Sequence, residues 1–303
     1  MSLLVVGSIA FDTVYTPFGM VEEALGGSAT YFSISASYFT DNIKVVAVVG
    51  SDFPEKYIKM FEERNIDTSG ILIKEGQTFR WKGEYGYDLK EVKTLDTQLN
   101  VFEDFDPKLS EDHKNSKYIF LANIDPTLQG KVLQKMKDPK FIALDTMNYW
   151  IKRKYEALLD TIQDVNTLII NEGEARELSG EYNLIKAAKR IFSFGPERLI
   201  IKRGESGVLM FAGNSLFCIP AYPLENVYDP TGAGDSFAGG FMGYLSKTED
   251  FSEENIRRAV VFGCVMASFA IEDFSVNRLL KLKKLDIENR FREFKALTYF
   301  ENF

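Results

Sequence analysis

Short apolar runs recur along the chain. Leu3-Leu-Val-Val6, Val45-Val-Ala-Val-Val49, Tyr118-Ile-Phe-Leu121, Phe141-Ile-Ala-Leu144, Leu168-Ile-Ile170 and Leu199-Ile-Ile201 are continuous rather than alternating. Continuous short runs suit strands covered on both faces. Between them, the spacing predicts helices at about 26–39, 54–64, 127–137, 151–163, 173–179 and 183–194. This alternation predicts an α/β sandwich built on a mostly parallel sheet. Gly207-Val-Leu-Met-Phe211 and Ser215-Leu-Phe-Cys-Ile219, joined by three residues, predict a β-hairpin.

Residues 71–102 break the rhythm. Thr78 to Tyr87 alternates aromatic with polar or small residues, and no helical pattern intervenes before Leu99-Asn-Val-Phe102. The pattern predicts a small antiparallel sheet inserted between α/β units, suited to a lid, a dimer face or both. After Leu245 the chain reads as mostly helical. The long apolar segment is 253–271, and 278–297 is patterned as a surface helix.

The chain has 303 residues, 45% of them hydrophobic, enough for one large core. Its net charge of −8 argues against general nucleic-acid or anionic-membrane binding, which need basic patches. Two cysteines, Cys218 and Cys264, give neither a disulfide framework nor zinc spacing. The first residues lack a signal-peptide pattern, and no apolar run reaches 18 residues. A soluble cytoplasmic protein is the expectation. The one histidine, His113, falls in the polar run 106–117 and reads as a solvated loop residue. Base chemistry therefore falls to a carboxylate, lysine or tyrosine.

The richest chemistry lies in Asp229-Pro-Thr-Gly-Ala-Gly-Asp-Ser-Phe237. A Gly-rich turn opening a helix exposes unpaired amides that attract an anion. Asp235 placed there suits proton abstraction beside a transferred phosphate. A plain turn with Asp235 as N-cap fits the same residues. The helix that follows carries Gly239, Gly240 and Gly243, each costing about 1 kcal/mol against alanine. Close packing against a sheet or ligand would explain them.

This run resembles the C-terminal signature of the ribokinase-like (PfkB) carbohydrate kinases. Other stations follow in that family's order: Gly7-Ser-Ile-Ala-Phe-Asp12, Gly26-Gly27, Asn171-Glu-Gly-Glu174 and Lys202-Arg-Gly204. The resemblance covers nearly the whole chain. It implies a single ribokinase-like domain over 1–303, a three-layer α/β/α sandwich with a small antiparallel β lid. The lid would come mainly from about 13–25 and 71–102.

It also implies ATP-dependent transfer to an alcohol group of a small sugar or polyol. Asp235 would be the general base, and the backbone of Gly232, Ala233 and Gly234 the anion hole. Asp12, Gly26, Gly27, Tyr31 and Asn123 would meet the substrate with Asp235. Asn171, Lys202, Gly204, Gly232 and Gly234 would meet ATP. Asn171 and Glu174 would organise Mg2+ through water, and Asp229 and Thr231 fall where related kinases hold a monovalent cation such as K+. Asp145 and Asn148 lie near the same strand ends, and Arg80 and Trp81 on the lid are further substrate contacts to test.

Two positions depart from the family pattern. Tyr31 stands where ribokinase-like sequences commonly carry asparagine, and Ala10 where ribokinases carry a polar residue. Ribose is therefore doubtful, and the ring of Tyr31 suits stacking on a base or sugar. A nucleoside acceptor and a catalytically silent ligand sensor are the alternatives. A dinucleotide-binding oxidoreductase lacks its G-x-G-x-x-G, and the P-loop pattern is absent. A homodimer through the lid is a further expectation.

Overall fold

A computed structural model describes residues 1–90, 92–299 and 301. Thirteen strands run in chain order: β1 Leu3–Val6, β2 Ala10–Thr16, β3 Gly19–Gly26, β4 Ile43–Gly50, β5 Ile66–Lys74, β6 Phe79–Tyr85, β7 Val92–Gln98, β8 Tyr118–Leu121, β9 Phe141–Leu144, β10 Thr167–Asn171, β11 Arg198–Lys202, β12 Val208–Ala212 and β13 Ser215–Ile219. Nine form the main sheet in the order β13-β12-β11-β10-β9-β8-β1-β4-β5. From β11 to β5 every pairing is parallel, and the β12–β13 hairpin extends the sheet antiparallel.

The continuous apolar runs split by parity between two cores. Leu3, Val5, Val45, Ala47, Phe120 and Ile200 face one layer of helices. Leu4, Val6, Val46, Ile119, Leu121 and Ile201 face the other. That is why those strands show no polar alternation.

On the first face, the Ala233–Thr248 helix lies between the Ser28–Ala36 and Glu253–Ala270 helices. Its glycines are explained by backbone contact. A Cβ at Gly239 would stand 2.3 Å from the Phe32 carbonyl oxygen, one at Gly240 2.7 Å from that of Phe262, and one at Gly243 3.0 Å from the Ala36 Cα. Ser35 Oγ also donates to the Ser236 carbonyl at 2.6 Å. Contacts that advance together along both helices make the Ser28–Ala36 and Ala233–Thr248 helices parallel, with neighbouring N-termini.

The remaining four strands form a second sheet, β3-β2-β6-β7. Its outer pairs are antiparallel, while β2 and β6 run parallel. Phe18, Met20, Tyr87 and Leu95 on it are exposed.

Several sequence expectations need correcting. Residues 71–74 close β5, an edge strand of the main sheet, rather than opening the insertion. Its half-exposed residues hid it, because an edge strand need not be continuously apolar. Asn100–Phe102 is a short 3-10 turn. The segments 151–163 and 278–297 are each split, giving helices Asn148–Arg153 and Tyr155–Ile162, then Asn277–Leu280 and Lys284–Leu297. His113 is buried, not solvated: its Nδ1 accepts from the Ser110 amide at 3.2 Å, and its own amide donates to Ser110 Oγ. It completes a capping box that a polar composition conceals. Among the described residues, no helix is long and apolar enough to cross a membrane.

Candidate active site

The carboxyl ends of β9, β10 and β11 lie side by side, so Asp145, Asn171 and Lys202 share one edge of the sheet. Ligands gather at such edges in parallel sheets. Lys202 Nζ stands 3.3 Å from Asp145 Oδ2, and both side chains are largely withdrawn from solvent. Asn171 caps the Glu172–Ser179 helix. Its Oδ1 accepts from the Glu174 amide at 2.8 Å, while Glu174 Oε2 accepts from the Asn171 amide at 2.7 Å. The pair forms a reciprocal capping box. The Asn171 side chain is exposed and Glu174 is buried.

The glycine-rich run ends as a turn into a helix. Gly232 is the N-cap, left-handed at φ 74°, so Asp235 sits in the first turn rather than capping it. The Ala233 amide donates to the Pro230 carbonyl at 3.2 Å, which takes it out of the expected anion hole. Among the described residues, no backbone acceptor takes the Gly234 amide, while the Asp235 amide is hydrogen-bonded to its own carboxylate. The open Gly234 N–H sits at the positive end of a 16-residue helix. A Cβ on Gly234 would lie 2.7 Å from Lys202 Nζ. The ammonium therefore stands against the same turn.

Asp12 sits within β2 at a register shift. Its carboxylate lies over Gly26, where any Cβ would come within 1.9 Å of Oδ2. The Gly27 amide supports it by a hydrogen bond. Gly26→Ala is expected to displace the Asp12 carboxylate. Losing a charge-assisted hydrogen bond costs about 1.5–3 kcal/mol, so with Asp12 as the expected acceptor ligand, acceptor KM should rise about 10- to 100-fold with nucleotide affinity unchanged. Steady-state kinetics and nucleotide titration check this.

Tyr31 carries a correction. Its ring lies face-on to Gly232, with ring carbons 2.4 Å from where a Cβ would stand, and the residue is 1% exposed. No face is free to stack on a ligand. The ring instead supports the turn from below, and only glycine fits above it.

Asp229 is 1% exposed. Its Oδ1 accepts from the Thr231 amide at 2.9 Å and its Oδ2 from the Ser275 amide at 3.4 Å. Thr231 Oγ1 lies 3.2 Å from the Tyr85 hydroxyl on β6. Asn123 accepts from Trp150 Nε1 at 2.9 Å and donates to Met147 Sδ at 3.2 Å, so its amide is already engaged. Asn148 and Gly204 are exposed, and nothing packs within 4 Å of a Cβ built on Gly204. Arg80 is a brace and not a free substrate ligand: it binds Glu23, Asp52 and the Thr78 carbonyl. Trp81 packs over Gly83 and donates to Thr94.

The electrostatics are those of crowded carboxylates around one ammonium. Burial pushes Asp235 up to about 7; Asp145 adds to the shift and Lys202 opposes it. Burial also pushes Asp12 up to about 7, with Asp229 and Asp235 contributing. Burial raises Glu174 too, aided by Asp145. Burial alone would lower Lys202, but Asp145, Glu174 and Asp235 hold it above its ordinary value. Such perturbed groups cluster at functional sites in enzymes. Among the described residues, no three His, Cys, Asp or Glu side chains form a ready metal cage.

Sequence reasoning missed Tyr85 and Ser275. Tyr85 lies 146 positions from Thr231, and no local pattern announces a contact at that range.

A parallel sheet with a carboxylate, an ammonium and an open helix-terminal amide at its carboxyl edge defines an α/β enzyme of anion chemistry. Residues 3–281 match the model of the pfkB family of carbohydrate kinases, and the chain belongs to that family. It is a phosphotransferase with an alcohol group as acceptor, a kinase of a sugar or nucleoside. The cytidine kinase of Thermococcus kodakarensis is 29% identical over 259 residues, 84% of this chain and 91% of that protein. The Methanocaldococcus jannaschii nucleoside kinase structure aligns with a TM-score of 0.77 at 20% identity, covering 97% of this chain and 99% of that one. A putative ribokinase II from E. coli, in complex with ATP and Mg2+, aligns with a TM-score of 0.78 at 16% identity, covering 96% and 99%. These structures share the ribokinase fold.

Proposed function

We propose that the protein moves the γ-phosphoryl of ATP to a hydroxyl of a small sugar or polyol, with Asp235 as the base. The observation that carries this is the placement of Asp235 in the first turn beside the open Gly234 amide and the Lys202 ammonium. Asp12 suits the acceptor side, since one carboxylate can accept from two neighbouring hydroxyls. The second sheet, bearing Asp12, is proposed as the lid over the cleft.

The acceptor hydroxyl donates to Asp235. As its oxygen bonds to the γ-phosphorus, the proton passes to Asp235 and the bond to the ADP oxygen breaks. Negative charge on the transferred group meets the Gly234 amide and Lys202. Transfer of this kind needs positioning and charge stabilisation more than covalent catalysis. An acceptor-side base near pKa 7 is well matched to neutral pH.

Mg2+ fits the chemistry of this edge. Asp145, Glu174 and Asp235 crowd around one ammonium; burial raises all three carboxyls, and Asp145 adds to the rise of Glu174 and Asp235. Asn171 and Glu174 would hold the ion through its waters. When bound, it would neutralise triphosphate charge.

A coupled ADP-release screen across pentoses, hexoses, inositols and nucleosides tests the proposal. Acceptor-dependent ADP with a sugar or polyol is expected. ADP with nucleosides alone would move the acceptor class, and none with any compound would overturn the reading.

A further inference from the structure

The second sheet is fastened at two points, to Thr231 just before Gly232 and to Ser275, and one buried carboxylate joins them. At the end of β6, the Tyr85 hydroxyl lies 3.2 Å from Thr231 Oγ1. At the end of β3, Ser275 Oγ donates to the Leu25 carbonyl at 2.5 Å. Asp229 lies between, accepting from the Thr231 and Ser275 amides. The circuit thus runs Tyr85, Thr231, Asp229, Ser275, Leu25 and leaves the main body through both strands. Ser275 is held at φ 55°, a conformation uncommon outside glycine. Such strain persists only where the surroundings fix it.

We propose that Tyr85 is a positioning residue for phosphoryl transfer, acting through Thr231 so that docking of the second sheet and setting of the 232–235 turn are one event. The inference rests on the reading of that turn as the phosphoryl-transfer site.

Three features support it. Thr231 immediately precedes the Gly232 cap, so a force on its side chain acts on the turn. Asp12 rides on β2, which pairs with β6 in register from Ala10↔Phe79 to Tyr15↔Glu84. Fastening β6 therefore also fixes the acceptor-side carboxylate relative to Asp235. Burial, with Asp229 and Asp12 nearby, pushes the Tyr85 phenol up, so it stays a neutral hydrogen-bonding group across the working pH range. Tyr85 itself exchanges no proton with the reactants.

A double-mutant cycle tests this. Tyr85→Phe and Thr231→Val each remove one hydroxyl. Each should lower kcat about three- to tenfold, the worth of a net hydrogen bond, with nucleotide affinity unchanged. The double variant should lose no more than the worse single one, and Thr231→Ser should retain wild-type turnover. Multiplying losses in the double variant would overturn the coupling. Hydrogen exchange gives an activity-independent arm. In Tyr85→Phe, exchange should rise together in 79–85 and 229–235; a rise confined to 79–85 would overturn the proposal. If the wild type phosphorylates no acceptor, the functional reading fails while the exchange arm still decides the coupling.

Discussion

Asp235→Asn should lower turnover by about 10²- to 10⁴-fold, the usual worth of a positioned general base, while nucleotide affinity is kept. The amide preserves shape and can still accept a hydrogen bond, but it cannot take the acceptor proton. Binding survives because the open amide belongs to the backbone of the turn. The same variant should be more stable at alkaline pH. The Asp235 carboxyl rises from its ordinary value to about 7 on folding, chiefly through burial and secondarily through Asp145. Between those values the folded state holds a proton that the unfolded chain has released. Stability is therefore lost as pH rises from about 4 to 7. Asparagine removes that loss, so the Tm advantage of the variant should be largest at pH 8 and vanish near pH 4. Thermal melts across that range check the sign, and an Asp235→Asn protein less stable at pH 8 would contradict it.

Lys202→Met should lower kcat by about 10²- to 10³-fold, the scale seen for removing one transition-state donor. The side chain is nearly isosteric, so the loss reports the charge. A second effect follows. Lys202, with the Asp235 amide, holds the Asp235 carboxyl down against burial and Asp145. Without it the carboxyl rises further, and the acid limb of the rate profile should move to higher pH. A lower rate with an unmoved limb would mean that Lys202 acts on the phosphates alone.

The fold was legible because the main strands are buried on both faces and carry continuous apolar runs. Leu3–Val6 and Tyr118–Leu121 have every residue buried. Edge strand β5 was lost because one of its nine residues is buried. The site was legible where chemistry sits in one local run, as at 229–237. It was illegible where function comes from contact at long range. Tyr31 reads as a stacking platform in the sequence. Folding presses its ring against Gly232 instead, which no pattern around position 31 could indicate. Ala233 reads as part of an anion hole, yet its amide is spent on Pro230. Arg80 reads as a ligand contact, yet Glu23 and Asp52 close around it. His113 was misread because one residue of a mostly exposed polar run turns inward, its ring lying against Gly70 of β5.

The central claim is that the 229–237 turn delivers a phosphoryl group to an alcohol. Phosphorus NMR of the products, with the best acceptor from the screen, tests it most directly. One phosphomonoester on an alcohol carbon should form for each ADP released. ADP accompanied only by inorganic phosphate, at a rate indifferent to the acceptor, would contradict the account.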